Sequence, residues 1–197
     1  SSIDSVLNQR KKINSEIKSL RDSKKLRHEI IREIEVKEKM YSSRALSLHK
    51  KRESESIELS KMIVMTMSNL NMDGARFDIK IEQDEIEESY IKLDGKNVAG
   101  NSKGIDKVEF YLSANPGEPS KPLSFVASGG EISRIMLAIK TVFQDIDPVQ
   151  TLVFDEIDSG ISGKAAEKVS EHLMELAKKK QVICITHLSQ IAHKAHN

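Results

Sequence analysis

The sequence predicts an α/β fold: a parallel sheet with flanking helices, joined to short antiparallel strands and preceded by a long coiled-coil helix. Three observations carry that prediction. Residues 3–70 contain neither Pro nor Gly, and their apolar residues recur at mixed threes and fours. Residues 77–82 then alternate apolar and charged side chains, the period of a half-buried strand. Beyond Pro122, helical patterns alternate with short apolar runs, as in βαβ units.

The helix comes first. Ile13, Ile17, Leu20, Ile31, Ile34, Tyr41, Ala45 and Leu48, and later Leu59, Ile63 and Leu70, form one seam. Glu38 and Arg52 fall where a strict heptad wants apolar residues. So polar a helix is marginal alone and needs a second coiled-coil strand, which this chain does not contain. The turn Asn71-Met72-Asp73-Gly74 ends it. Phe77, Ile79 and Ile81 then share one strand face, a second strand-and-turn segment covers residues 90–96, and a third strand at 108–112 enters the loop 115–122. A helix at 131–143, a strand at 151–154, a helix at 164–179 and a strand at 181–185 complete the order. Continuous apolar strands between helices imply a parallel sheet buried on both faces, with ligands gathered at the carboxyl ends of its strands. The expected division is an arm, 1–70, and a globular lobe, 71–197.

Composition fits this division. The 197 residues carry a net charge of +1, but residues 1–52 hold 15 Lys/Arg against 7 Asp/Glu, so the arm is +8 and the rest −7. A basic arm suits either phosphate contact or simple solvation of a helix. Cys184, the single cysteine, excludes an internal disulfide. No apolar run approaches a membrane span and no signal-peptide pattern opens the chain, so the expectation is a soluble, cytoplasmic protein with no membrane partner. Ser1 opens in mid-helix and Asn197 follows a helix without a closing element, which reads as an excised fragment.

Three motifs carry chemistry. Ala127-Ser128-Gly129-Gly130-Glu131 leads into a helix, where unpaired amides, the positive dipole end and two glycines suit a phosphate; the same residues also read as an ordinary N-cap. Thr151-Leu152-Val153-Phe154-Asp155-Glu156 delivers two adjacent carboxylates from a strand end. Their natural division gives Asp155 to Mg²⁺, through water, and Glu156 to the water that attacks a γ-phosphate; a strand running into a solvated acidic loop is the plain alternative. Ile185-Thr186-His187 places a histidine at the next strand end, either as a γ-phosphate sensor or as a structural residue. The other five histidines fall in helices expected to be exposed.

Order and spacing join these parts. A signature loop, a helix, an apolar strand with Asp-Glu, a helix and an apolar strand with His form the C-terminal half of an ABC-type ATPase. Asp158-Ser159-Gly160-Ile161-Ser162-Gly163 begins two residues after Glu156, at the D-loop position that touches an opposing head. No Gly-x-x-x-x-Gly-Lys occurs anywhere in the chain.

The sequence resembles the RecN family, the bacterial DNA-repair branch of the SMC-like ATPases. The resemblance rests on Val108-Glu109-Phe110, Ser113-Ala114-Asn115-Pro116-Gly117-Glu118, the run from Val126 to Lys140, the run from Phe154 to Gly163, and Ile185-Thr186-His187-Leu188-Ser189-Gln190; with weaker signals upstream it covers about residues 40–197. Phe125 stands where a basic residue is expected, and Ser189 where proline is usual. The resemblance implies the C-terminal lobe of an ABC/SMC-type head, acting in recombinational repair of DNA double-strand breaks and associated with the bacterial nucleoid. Two heads would clamp ATP, each site using a P-loop, Asp155, Glu156 and His187 of one head with Ser128, Gly129 and Gly130 of the other, Glu131 following in the signature. It implies as partners the P-loop-bearing N-terminal half of the same head, a second head in a homodimer, and DNA. Without a P-loop, this chain alone is expected to be inactive. Two other functions compete: a chromosome-organising SMC head, against which the 115–122 segment stands, and a non-catalytic coiled-coil scaffold, which has no use for Asp155 and Glu156 beside His187.

Overall fold

The computed structural model describes residues 2–125 and 129–196. Helix α1 runs Ile3–Asn69, followed by β1 (Arg76–Glu82), β2 (Lys92–Leu93), β3 (Lys96–Asn97), β4 (Lys107–Ser113) and β5 (Lys121–Pro122). A 3₁₀ turn (Leu123–Phe125) precedes α2 (Gly129–Val142), β6 (Thr151–Phe154), α3 (Lys164–Ala177), β7 (Gln181–Cys184) and α4 (Ser189–Ala192). The chain forms two compact units, Ser1–His49 with Gln83–Ile105, and Lys50–Glu82 with Asp106–Asn197.

In the first unit, β2 and β3 pair as an antiparallel hairpin, with Leu93 opposite Lys96. The hairpin turns at Asp94-Gly95, both at positive φ, the backbone of a tight two-residue turn. Ile91, Val98 and Ile105 of this excursion form a small core with Ala45 of α1, flanked by Tyr41, Leu46 and Leu93. His49, read from the sequence as exposed, is 6 % exposed. Its place on the inward stripe of α1, one turn beyond Ala45, explains the difference.

In the second unit, the end of α1 is part of the core. Ile63, Met67 and Leu70 are fully buried and cluster with Phe77 of β1 and Leu112 of β4. β1 and β4 pair antiparallel in the register Phe77↔Leu112 and Ile79↔Phe110, and β5 adds to the other side of β4. Arg52, out of place on an apolar seam, donates from Nη1 to Oδ2 of the fully buried Asp106 at 2.9 Å. The helix stops where Asn71 takes φ 63° and Gly74 takes φ 81°. A Cβ at Gly74 would stand 2.6 Å from Pro116 Cγ, so the turn also admits the loop after β4 only as glycine.

The remaining layer is α/β. β6 and β7 run parallel in the register Thr151↔Gln181 through Phe154↔Cys184. Leu152 and Phe154 are buried in the main core with Val169, Leu173 and Leu176 of α3 and Ile135, Leu137 and Ala138 of α2. The opposite face is open, contrary to the expectation of a sheet buried on both faces: Val153 is 62 %, Ile183 47 % and Ile185 57 % exposed. Among the described residues no element covers that face, although these strands have the apolar composition of strands buried on both sides. No helix of the described residues is long and apolar enough to cross a membrane.

Candidate functional site

Parallel pairing of β6 with β7 brings the two chemistry-bearing strand ends together. The ladder continues one step past the strands, with the Ile185 amide donating to Phe154 O at 2.9 Å. Asp155-Glu156 and Thr186-His187 therefore leave neighbouring strands at the same edge. Asp155 and Glu156 are both exposed, and the Glu156 amide donates to Asp155 Oδ1 at 2.9 Å. Glu156 takes φ 57°, a left-handed conformation that costs a residue with a Cβ about 1–2 kcal/mol. Such strain concentrates at functional sites.

Asp158 ties the two strand ends. Its side chain is 3 % exposed, and Oδ2 accepts from the Thr186 hydroxyl, the His187 amide at 2.9 Å and the Leu188 amide at 3.3 Å. The same oxygen lies 3.1 Å from Nδ1 of His187, whose side chain is 75 % exposed. Burial pushes the Asp158 carboxyl up, but the Thr186 hydroxyl, the His187 amide and the His187 ring outweigh it and hold it below its ordinary value. The Asp158 side chain is turned inward, where three donors of its own chain converge on it, while Ser159, Gly160, Ser162 and Gly163 of the same loop are exposed.

The start of α2 closes the site from the other side. A Cβ on Gly129 would collide with the Glu156 carboxylate, and one on Gly130 would stand 2.7 Å from Ser159 Cβ and 3.1 Å from Glu156 O. Gly130, facing backbone, is thus required for the helix to approach the loop, whereas at Gly129 the exposed Glu156 carboxylate could give way. Ser133 donates to Asp155 O at 2.6 Å. Arg134, 7 % exposed, donates from Nη1 to Ser159 O at 2.7 Å and Ile157 O at 3.3 Å, while its buried Nε has no partner. Burial lowers the guanidinium from its ordinary value, and the Glu131 carboxylate opposes this.

The structure thus gathers Gly129, Gly130, Asp155, Glu156, Asp158 and His187 around one strand edge, with Glu131 following in the first turn of α2. Ser128 lies outside the described residues. Sequence reasoning gave no separate role to Ser133, Arg134 or Thr186, which hold the site together. Thr186 stood inside a motif read for its histidine, and Ser133 and Arg134 carried no signal beyond their position one turn into α2. Cys184 is half-buried, and burial raises its thiol above the ordinary value.

No family model matches the chain. Among curated proteins it is 45 % identical over 157 residues to the DNA repair protein RecN of Treponema pallidum, covering 79 % of this chain and 26 % of that protein. It is 34 % identical over 195 residues to the DNA repair protein RecN of Bacillus subtilis, covering 98 % of this chain and 34 % of that protein. A solved Smc head domain with a coiled coil and joint, from Pyrococcus yayanosii, aligns over 74 % of this chain and 24 % of its own, at 20 % identity and a TM-score of 0.49. The chain spans between a quarter and about a third of the length of those two curated relatives. Over the stretch it spans, the chain belongs to the RecN family.

Proposed function

We propose that this chain supplies the hydrolytic half of an ATP-driven head in an SMC-like protein of recombinational DNA repair. The observation that carries the reading is the shared edge of β6 and β7, from which Asp155-Glu156 and His187 emerge side by side, the His187 amide held by Asp158 of the loop that follows Glu156. ATP is the substrate, and Glu156 is the group that polarises the attacking water. Its carboxylate rests against Gly129 in the same chain, so it would have to swing toward that water. His187, its backbone amide held by Asp158 and its ring exposed, would donate from the ring to the γ-phosphate. Asp155 would hold Mg²⁺. Among the described residues no cluster of three or more Asp, Glu, His or Cys side chains could hold a metal. One exposed carboxylate nevertheless suits an ion that keeps most of its ligands as water and phosphate oxygens. Bound there, the ion would neutralise charge developing on the phosphates.

Ser128, Gly129, Gly130 and Glu131 would serve ATP held on a second head, and the exposed Ser159-Gly160 of the D-loop would face that head. The P-loop half of the same head would lie over the open face of β6 and β7, where Val153, Ile183 and Ile185 call for cover. Residues 1–70 would act as the arm and 71–197 as the lobe, with the last turns of α1 anchoring one in the other. DNA is the partner that the repair role requires, and a cytoplasmic, nucleoid-associated location follows from it. Titration calorimetry with Mg-ATP tests the division of labour. No binding is expected for this chain, and binding should appear when it is combined with the P-loop-bearing segment of the longer protein. Tight binding by the chain alone would contradict the proposal.

A further inference from the structure

The seam of α1 is stricter than its apolar residues alone suggest. From Ile3 to Ala45, positions recur alternately three and four apart without a break, with Arg10, Lys24, Arg27 and Glu38 as the polar members. The structure divides this seam in two. N-terminal to Glu38 it is open, with Leu20 70 % and Ile34 49 % exposed. At Tyr41 and Ala45 it is occupied by the chain itself, since Ala45 is 4 % exposed beneath Ile91, Val98 and Ile105.

The occupying segment is firmly tied. The Tyr41 hydroxyl donates to Asn101 O at 2.7 Å and lies 3.2 Å from Gly104 O. A Cβ on Gly100 would stand 2.7 Å from that hydroxyl and 2.7 Å from Ile91 Cδ1. Tyr90 packs edge-on against Tyr41, with ring centroids 6.0 Å apart, and stands 53 % exposed beside Ile34 and Glu38, lining with them one shallow pocket.

We propose that Gln83–Ile105 is a terminator of the coiled coil. It fills the seam positions at Tyr41 and Ala45, so that a partner helix docks on residues 3–34 and stops against Tyr90. Seam chemistry specifies that partner: an apolar heptad helix carrying carboxylates opposite Arg10, Lys24 and Arg27. A second copy of this chain does not meet that specification. Residues 3–34 place three cations and no acid on the seam, and a copy would add three more. The terminator also sets register, because the partner has a fixed end from which its heptads are counted.

The test needs no nucleotide, so it fails or succeeds independently of the ATPase reading. The probe is a seven-heptad synthetic peptide with leucine at its seam positions and glutamate opposite Arg10, Lys24 and Arg27, made in both strand directions and long enough to reach Leu48. Hydrogen exchange of the 197-residue chain is followed with and without it. In at least one direction, saturating peptide should slow exchange across residues 3–34 while leaving 41–48 and 90–98 as they were. Exchanging the three glutamates for lysines should weaken binding about tenfold or more. Added protection at 41–48 with loss of protection at 90–98 would show the segment displaced and overturn the proposal. Absence of protection at 3–34 in both directions, or equal binding of the lysine peptide, would overturn it as well. A chain already dimeric and protected at 3–34 without peptide would assign the seam to a second copy, and the proposal would fall.

Discussion

Replacing Arg134 by methionine removes the side chain that binds both Ile157 O and Ser159 O. Charge-assisted hydrogen bonds contribute about 1.5–3 kcal/mol each. The 2.7 Å bond to Ser159 O belongs within that range and the 3.3 Å bond to Ile157 O at or below its lower end, giving roughly 3–4 kcal/mol gross. Against this, methionine has similar reach, and it relieves the buried charge and the unpartnered Nε, an offset of about 2 kcal/mol. The net expectation is a loss of about 1–2 kcal/mol, which at a urea dependence of about 2 kcal/mol per molar lowers the midpoint by about 0.5–1 M. Cys184, the chain's single thiol, is half-buried against the same core, so its reactivity toward a thiol reagent across a urea series reports unfolding of this unit. Lysine at 134 should not rescue the midpoint, because a compact, strongly hydrated ammonium cannot fork to two carbonyls. An unchanged or raised midpoint for R134M would show the buried ion to be a burden rather than a brace.

Other expectations follow from the same loop. D158A leaves the Thr186 hydroxyl and the His187 and Leu188 amides without their acceptor, and should cost about 2–4 kcal/mol in the same urea experiment. The Asp158 carboxyl is held below its ordinary value in the folded chain, so its contribution is present above the unfolded value of about 3.9 and is lost as pH falls through the folded one. The stability gap between wild type and D158N should accordingly be full near pH 6 and close well below pH 4; a gap independent of pH would contradict the assignment. G130A drives a methyl toward Ser159 Cβ and Glu156 O, and should cost about 1–3 kcal/mol by separating α2 from the loop. At Glu156, glycine should be more stable than alanine by about 1 kcal/mol, because only glycine takes φ 57° without strain; equal midpoints for E156G and E156A would remove the strain from the account.

Much of this architecture is legible in the sequence because periodicity reports burial. The long helix, the alternating strand at Arg76–Glu82 and the parallel order of β6, α3 and β7 all follow from it. Adjacent carboxylates at one apolar strand end and a histidine at the next were visible for the same reason, since parallel pairing must bring those ends together. What periodicity cannot report is which partner covers an apolar face. Val153, Ile183 and Ile185 look like core residues and lie exposed. Arg52 looks like a break in the seam and is paired with a buried aspartate 54 positions away. Nor does a motif announce its braces: Ser133 and Arg134 act through backbone carbonyls, which any residue supplies, so no partner pattern marks them. Asp158 was legible as a loop residue but not as the inward anchor of His187, a role visible only once the two strand ends are side by side.

ATP turnover by the longer protein with Glu156→Gln decides whether Glu156 is the catalytic base. The amide is nearly isosteric and cannot accept the proton of the attacking water. Retained ATP binding and ATP-dependent head dimerisation, with turnover lowered at least about a hundredfold, is the predicted result. Turnover at the wild-type rate would remove Glu156 from the base role and contradict the account.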